Sequence, residues 1–122
     1  MTYTINVERE LSKATGTLSY HHGDACVETS CWYQLENPIP EKVYTGCSAT
    51  YMQTKKNSKG TEREGVYIPD EQTHREGIFL HMGVDPSWSE GCIVIEEEEM
   101  LKIWNSINPK DGHNVTVIVK NK

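Results

Sequence analysis

The sequence predicts a mainly β fold: a small sandwich or barrel of about seven or eight short strands with one packed α-helix, forming a single domain over residues 1–122. Three observations lead there. Short runs of alternating or β-branched residues recur along the chain. Turn signals built on Gly, Pro, Asn and Asp separate them at intervals of about ten residues. One stretch, after Glu96–Glu99, instead places apolar residues at helical spacing. A chain of 122 residues can bury one core but not two.

In order, Thr2 to Val7 alternates with Tyr3, Ile5 and Val7 on one face and reads as a first strand. Ser12 to Gly16 is a turn, and Thr17 to Tyr20 a second strand. His21-His22-Gly23-Asp24 joins it as a hairpin to a third strand, Ala25 to Thr29. Trp32 and Tyr33 read as core or rim anchors, and Asn37-Pro38-Ile39-Pro40 as a loop, because proline removes ladder donors. Val43 to Met52 reads as one strand bulged around Gly46. Lys55 to Glu64 is a charged surface loop, Gly65 to Pro69 a short strand, and Asp70 to Glu76 a polar loop. Two apolar runs follow, Ile78 to Leu80 and Ile93 to Ile95. Met100, Leu101, Trp104 and Ile107 then fall on one helical face, with Glu96–Glu99 at the N-terminus, where the macrodipole favours carboxylates. Asn108-Pro109-Lys110-Asp111-Gly112 stops that helix, and Val115 to Val119 is a last strand.

Composition limits the partners. The net charge of −6 argues against a nucleic-acid backbone as main partner. No apolar run approaches the about 18 residues a membrane span needs, so no membrane insertion is expected. Met1 to Glu8 lacks a basic n-region and an apolar h-region, so no Sec signal is expected there. His21, His22, Asp24, His74 and His113 are scattered, and Cys26, Cys31 and Cys47 match no zinc spacing. Neither a metal nor an organic cofactor is expected.

Chemistry concentrates at the two apolar runs. His81 closes the first and Cys92 opens the second, with Gly83, Asp85, Pro86 and Ser87 between. Two strands joined by a loop would bring thiol and imidazole to the same edge of a sheet. Such a pair suffices for nucleophilic acyl transfer: the imidazole takes the thiol proton and the thiolate attacks a carbonyl. Phe79 and His81 share one strand face, Ile78 and Leu80 the other. With Ile78 and Leu80 on the core, His81 would face a cleft or solvent. Ser89-Glu90-Gly91 is a small approach to Cys92, and Gly91 would let backbone N–H groups turn toward an oxyanion. Trp88 reads equally as a groove wall or a core closure. Three roles are open to Glu90: a hydrogen bond, orientation of His81, or an upward push on the Cys92 pKa.

From Gly65 to Trp104 this pattern resembles the catalytic core of the L,D-transpeptidase (YkuD-like) family, in which a strand-end His precedes a Ser/Thr-His-Gly-Cys signature. The matching residues are His81, Ser89, Gly91 and Cys92. The chain departs from the pattern at Glu90, which replaces a second His, in a shorter His-to-Cys interval, and at Ile93-Val94, where the family has Arg or Asn after the Cys. These departures suit a divergent branch of phage or secreted-effector type. The resemblance implies a thioester enzyme acting on peptidoglycan stem peptides, as an L,D-transpeptidase or an L,D-carboxypeptidase. Cys92 would be the nucleophile and His81 the base, with Gly83, Trp88, Ser89, Glu90 and Gly91 on the substrate side. The alternative is an inactive relative that binds a cell-wall fragment or a protein. The substrate implies action in the periplasm or cell wall, after export by a route other than Sec or after lysis. The oligomeric state is left open.

Overall fold

Tyr3, Ile5, Val7 and Arg9 are the buried positions of strand β1 (Tyr3–Arg9), which alternates inward and outward along its length. The computed structural model describes residues 2–36, 38–84 and 92–122. Among these, β1 is followed by β2 (Thr15–His22), β3 (Ala25–Trp32), β4 (Lys42–Lys56) and β5 (Glu62–Tyr67). The one-turn helix α1 (Asp70–Thr73) precedes β6 (Phe79–Met82) and β7 (Ile93–Ile95), and α2 (Glu97–Ser106) precedes β8 (Val115–Asn121). The strands close into a barrel in the order β1-β2-β3-β7-β6-β5-β4-β8. The expected mainly β fold is thus present in its barrel form. A second helix, α1, stands where the polar loop was expected; one turn has no apolar periodicity by which to declare itself.

Most neighbours are antiparallel. β2 and β3 form the expected hairpin, turning at Gly23-Asp24 with Gly23 at φ +58°. β4 shifts register between Tyr44 and Cys47, so the expected bulge around Gly46 is there; Gly46 takes φ +67°, a backbone that glycine adopts with least strain. The expected loop at Lys55–Glu64 is narrower, with β4 running to Lys56 and β5 starting at Glu62. The two parallel pairs are β1 with β8 and β6 with β7.

The barrel interior holds Ile5, Leu18, Val27, Val66, Leu80 and Val117, all essentially buried. α2 closes one end. Its Met100, Ile103 and Trp104 are buried, Trp104 stacks on Tyr51, and Ser106 hydrogen-bonds Tyr20 at 2.6 Å. Leu101 is only partly buried, and Ile103 takes the core position instead. At the other end lie Tyr33, Ile39 and the C-terminal ends of β1 and β8. Arg9 sits there, 1 % exposed, donating from Nε to Asn121 Oδ1 at 2.9 Å and lying over the Tyr33 ring. Burial holds its guanidinium pKa below the ordinary value.

Candidate active site

β6 owes its place to β5, with which it pairs antiparallel: Gly65 lies opposite His81, Val66 opposite Leu80 and Tyr67 opposite Phe79. A Cβ at Gly65 would lie 3.1 Å from Leu80 O and 3.1 Å from Phe79 Cδ2, so glycine keeps the two strands close beside His81. On its other side β6 pairs parallel with β7, Leu80 opposite Ile93, His81 opposite Val94 and Met82 opposite Ile95.

The parallel register corrects the expected arrangement of the two reactive groups. Strands joined by a simple turn would have set the end of the first run beside the start of the second. Parallel strands do not. Cys92 instead stands one position before Ile93, level with Phe79, while His81 lies two positions further along the adjoining strand. Exposure differs as well. Leu80 and Ile93 belong to the core cluster, which assigns His81 and Val94 to the opposite sheet face, as alternation requires. That face is covered too: Val94 is 0 % exposed, His81 3 % and Cys92 5 %. Covering of both faces is usual for parallel strands and accounts for the unbroken apolar run Ile93-Val94-Ile95.

His81 Nδ1 lies 2.8 Å from the Met82 carbonyl oxygen. A carbonyl can only accept, so Nδ1 carries the proton and Nε2 is the basic nitrogen of the neutral ring. Cys92 Sγ accepts from the Phe79 N–H at 3.4 Å and lies 3.8 Å from the Gly77 carbonyl, to which a protonated thiol can donate. Gly77 reaches that position with φ +71°. Its N–H donates to Asp70 Oδ1 at 3.3 Å, and the same oxygen accepts from the Tyr67 hydroxyl at 2.6 Å. Residue types gave no signal for these backbone partners of the thiol; the lone glycine before the apolar run was the only available hint.

Gly83 continues β6, its N–H donating to Ile95 O at 2.9 Å. Trp88, Ser89, Glu90 and Gly91, expected on the substrate side, lie outside the described residues. The other thiols are unpaired: Cys31 and Cys47 are buried, and burial pushes each pKa up to about 12. Cys26 is exposed on β3. The scattered histidines have separate settings: His21 beside Glu28 at 3.5 Å, His22 against Tyr3, and His113 beside Ser48. Among the described residues no three His, Cys, Asp or Glu side chains gather as a metal site would require. None of the helices there is long and apolar enough to cross a membrane.

The fold is shared with several solved structures. An L,D-transpeptidase from Mycobacterium smegmatis superposes with a TM-score of 0.54 at 12 % identity, over 97 % of this chain and 59 % of that one. The helical cell shape determining protein Pgp2 from Campylobacter jejuni gives 0.52 at 13 % identity, over 99 % of this chain and 49 % of the other. Bd1075 from Bdellovibrio bacteriovorus gives 0.53 at 17 % identity, over 98 % and 47 %. The chain therefore spans about half the length of the structures it matches. No curated protein sequence matches it. The model of the YkuD L,D-transpeptidase catalytic domain matches residues 29–119, most of the chain including β6, β7, His81 and Cys92, and the protein belongs to that family.

Proposed function

We propose that residues 1–122 form one catalytic unit, a cysteine acyl-transfer enzyme acting on peptidoglycan stem peptides with Cys92 as nucleophile and His81 as base. The observation that carries this reading is the His81–Met82 hydrogen bond. It places the basic nitrogen at Nε2, on a strand adjoining the one that Cys92 opens. Two residues of offset is about 6.6 Å along a strand, and neighbouring strands lie about 4.8 Å apart, so the two Cα atoms are about 8 Å from each other. Side chains of that size can converge across such a diagonal.

In the proposed reaction His81 Nε2 takes the thiol proton and the sulfur attacks the peptide carbonyl. An S–C bond forms, the C–N bond breaks, and the imidazolium gives its proton to the departing amine. An amine acceptor then attacks the thioester to give a transpeptide, or water attacks to give a carboxypeptidase product. Either way the thiol is regenerated. Gly83, Trp88, Ser89, Glu90 and Gly91 line the substrate side in this reading, and action takes place in the periplasm or cell wall. Incubation with purified stem-peptide fragments, followed by mass analysis, tests it. A thioester adduct on Cys92 and new cross-linked or trimmed peptides are expected; unchanged peptides with no adduct would overturn it.

A second reading has one observation in its favour. Both reactive side chains are almost wholly covered, which suits a phage or effector binding module that retains the fold without turnover. Binding of the same fragments with full retention in Cys92→Ala, and without any product, would select it.

A further inference from the structure

Two contacts of the Cys92 sulfur come from the backbone at the start of β6 and just before it. Phe79 N–H and Gly77 C=O flank the sulfur at 3.4 and 3.8 Å. Both belong to the stretch entering β6, and its start is fastened to α1 through one carboxylate oxygen. Asp70 Oδ1 accepts from Gly77 N–H and from the Tyr67 hydroxyl, and that hydroxyl accepts in turn from the Asp70 N–H at 3.2 Å. The Tyr67 ring packs on the Phe79 ring, with centroids 5.4 Å apart, so Asp70 and Tyr67 touch the two residues whose backbone groups flank the sulfur. The bond to Asp70, ahead of burial, raises the Tyr67 pKa, so the hydroxyl remains a donor at neutral pH.

We propose that Asp70, with Tyr67, is a positioning residue for the nucleophile: it holds Gly77 and Phe79 where their backbone groups direct the Cys92 sulfur. The inference rests on the reading of Cys92 as nucleophile. The Phe79 N–H stabilises a thiolate, while the Gly77 carbonyl favours the protonated thiol by accepting its hydrogen. The balance between these two contacts depends on the turn at Gly77. Releasing that turn costs the sulfur its aligned donor, and the thiolate becomes harder to form.

The test reads the thiol itself and needs no peptidoglycan, so its failure is distinguishable from failure of the proposed substrate. In a Cys26→Ser background, iodoacetamide labelling of Cys92 is followed across a pH series by peptide mass mapping. Asp70→Ala is expected to move the midpoint upward by about half a unit or more, which slows labelling at neutral pH about threefold. Asp70→Asn keeps an acceptor oxygen at the same place and is expected to restore the profile. Tyr67→Phe, which removes one hydroxyl and little packing, is expected to shift the midpoint in the same direction and serves if Asp70→Ala does not fold. Midpoints that coincide with the parent protein in the folded variants would overturn the proposal.

Discussion

The sulfur of Cys92 accepts a hydrogen bond from the backbone N–H of Phe79, its register neighbour on the parallel strand β6. Thiol and imidazole are thereby referred to one strand, since His81 lies two residues beyond Phe79. Cys92→Ala is expected to abolish turnover with little loss of fold, each power of ten in rate being about 1.4 kcal/mol of barrier. His81→Ala is expected to cost nearly as much activity, and the double variant little more, because the two groups act as a unit. His81 is buried, so its removal also leaves a cavity and an unpaired Met82 carbonyl; His81→Gln separates that loss of stability from loss of the base. Full activity in Cys92→Ala would sink the assignment.

Alkylation of the native protein should follow exposure and thiolate fraction. Cys26 is exposed and is expected to react first, Cys92 after it, and Cys31 and Cys47 last, since burial holds their pKa values near 12. Rapid labelling of Cys31 or Cys47 in folded protein would contradict the burial described for them.

Much of the barrel was legible because its signals are local. The hairpin at Gly23-Asp24 and the bulge at Gly46 each rest on a glycine with positive φ; the first was read from turn chemistry, the second from a glycine interrupting a strand-like run. α2 was readable from Met100, Trp104 and Ile107, and His81 and Cys92 stood out as candidates by their chemistry and spacing. The parallel pairing of β6 with β7 was not readable. Strand direction is decided by non-local packing, and a glycine- and proline-containing interval looks the same before a hairpin or a crossover. Nor could residue types reveal that the backbones of Met82, Phe79 and Gly77 contact His81 and Cys92. The unbroken run Ile93-Val94-Ile95 was the available sign that both faces of β7 are covered.

The buried thiols also set a pH limit on stability. Cys31 and Cys47 keep their protons up to about 12 in the folded state, whereas the unfolded chain loses them from the ordinary thiol value. The folded state then binds more protons than the unfolded one, and stability falls as pH rises through that window. Each thiol contributes a slope approaching about 1.4 kcal/mol per pH unit. Urea midpoints measured at neutral and alkaline pH should converge in Cys31→Ala and Cys47→Ala relative to the parent. An alkaline loss of the same size in all three proteins would rule the thiols out as its cause.

Arg9 is a buried cation that donates to the Asn121 side chain and lies over an aromatic ring. Desolvating a guanidinium is costly, and an amide oxygen compensates less than a carboxylate does. Arg9→Met, similar in length and apolar, is therefore expected to leave stability unchanged or raise it by up to about 3 kcal/mol. Arg9→Ala is expected to lower it by about 2–4 kcal/mol through the cavity it leaves. Equal losses in the two variants by chemical denaturation would mean that the charge, rather than the volume, is what this end of the barrel requires.

Gly77 separates backbone conformation from crowding. A Cβ there would meet nothing within 4 Å, so space is not the constraint, but φ is +71°. Gly77→Ala is expected to cost about 1–2 kcal/mol through left-handed strain. Gly77→Asn, larger but more tolerant of that region, is expected to cost less. If sterics dominated, the order would reverse, and thermal or urea unfolding of the pair reads the order directly. The same two variants should differ at the thiol. Alanine draws the turn toward negative φ and carries the Gly77 carbonyl away from Cys92, so its labelling profile should change with stability. Asparagine should preserve both. An unchanged Cys92 profile in a measurably strained Gly77→Ala protein would show that the turn can relax without moving the sulfur's partners.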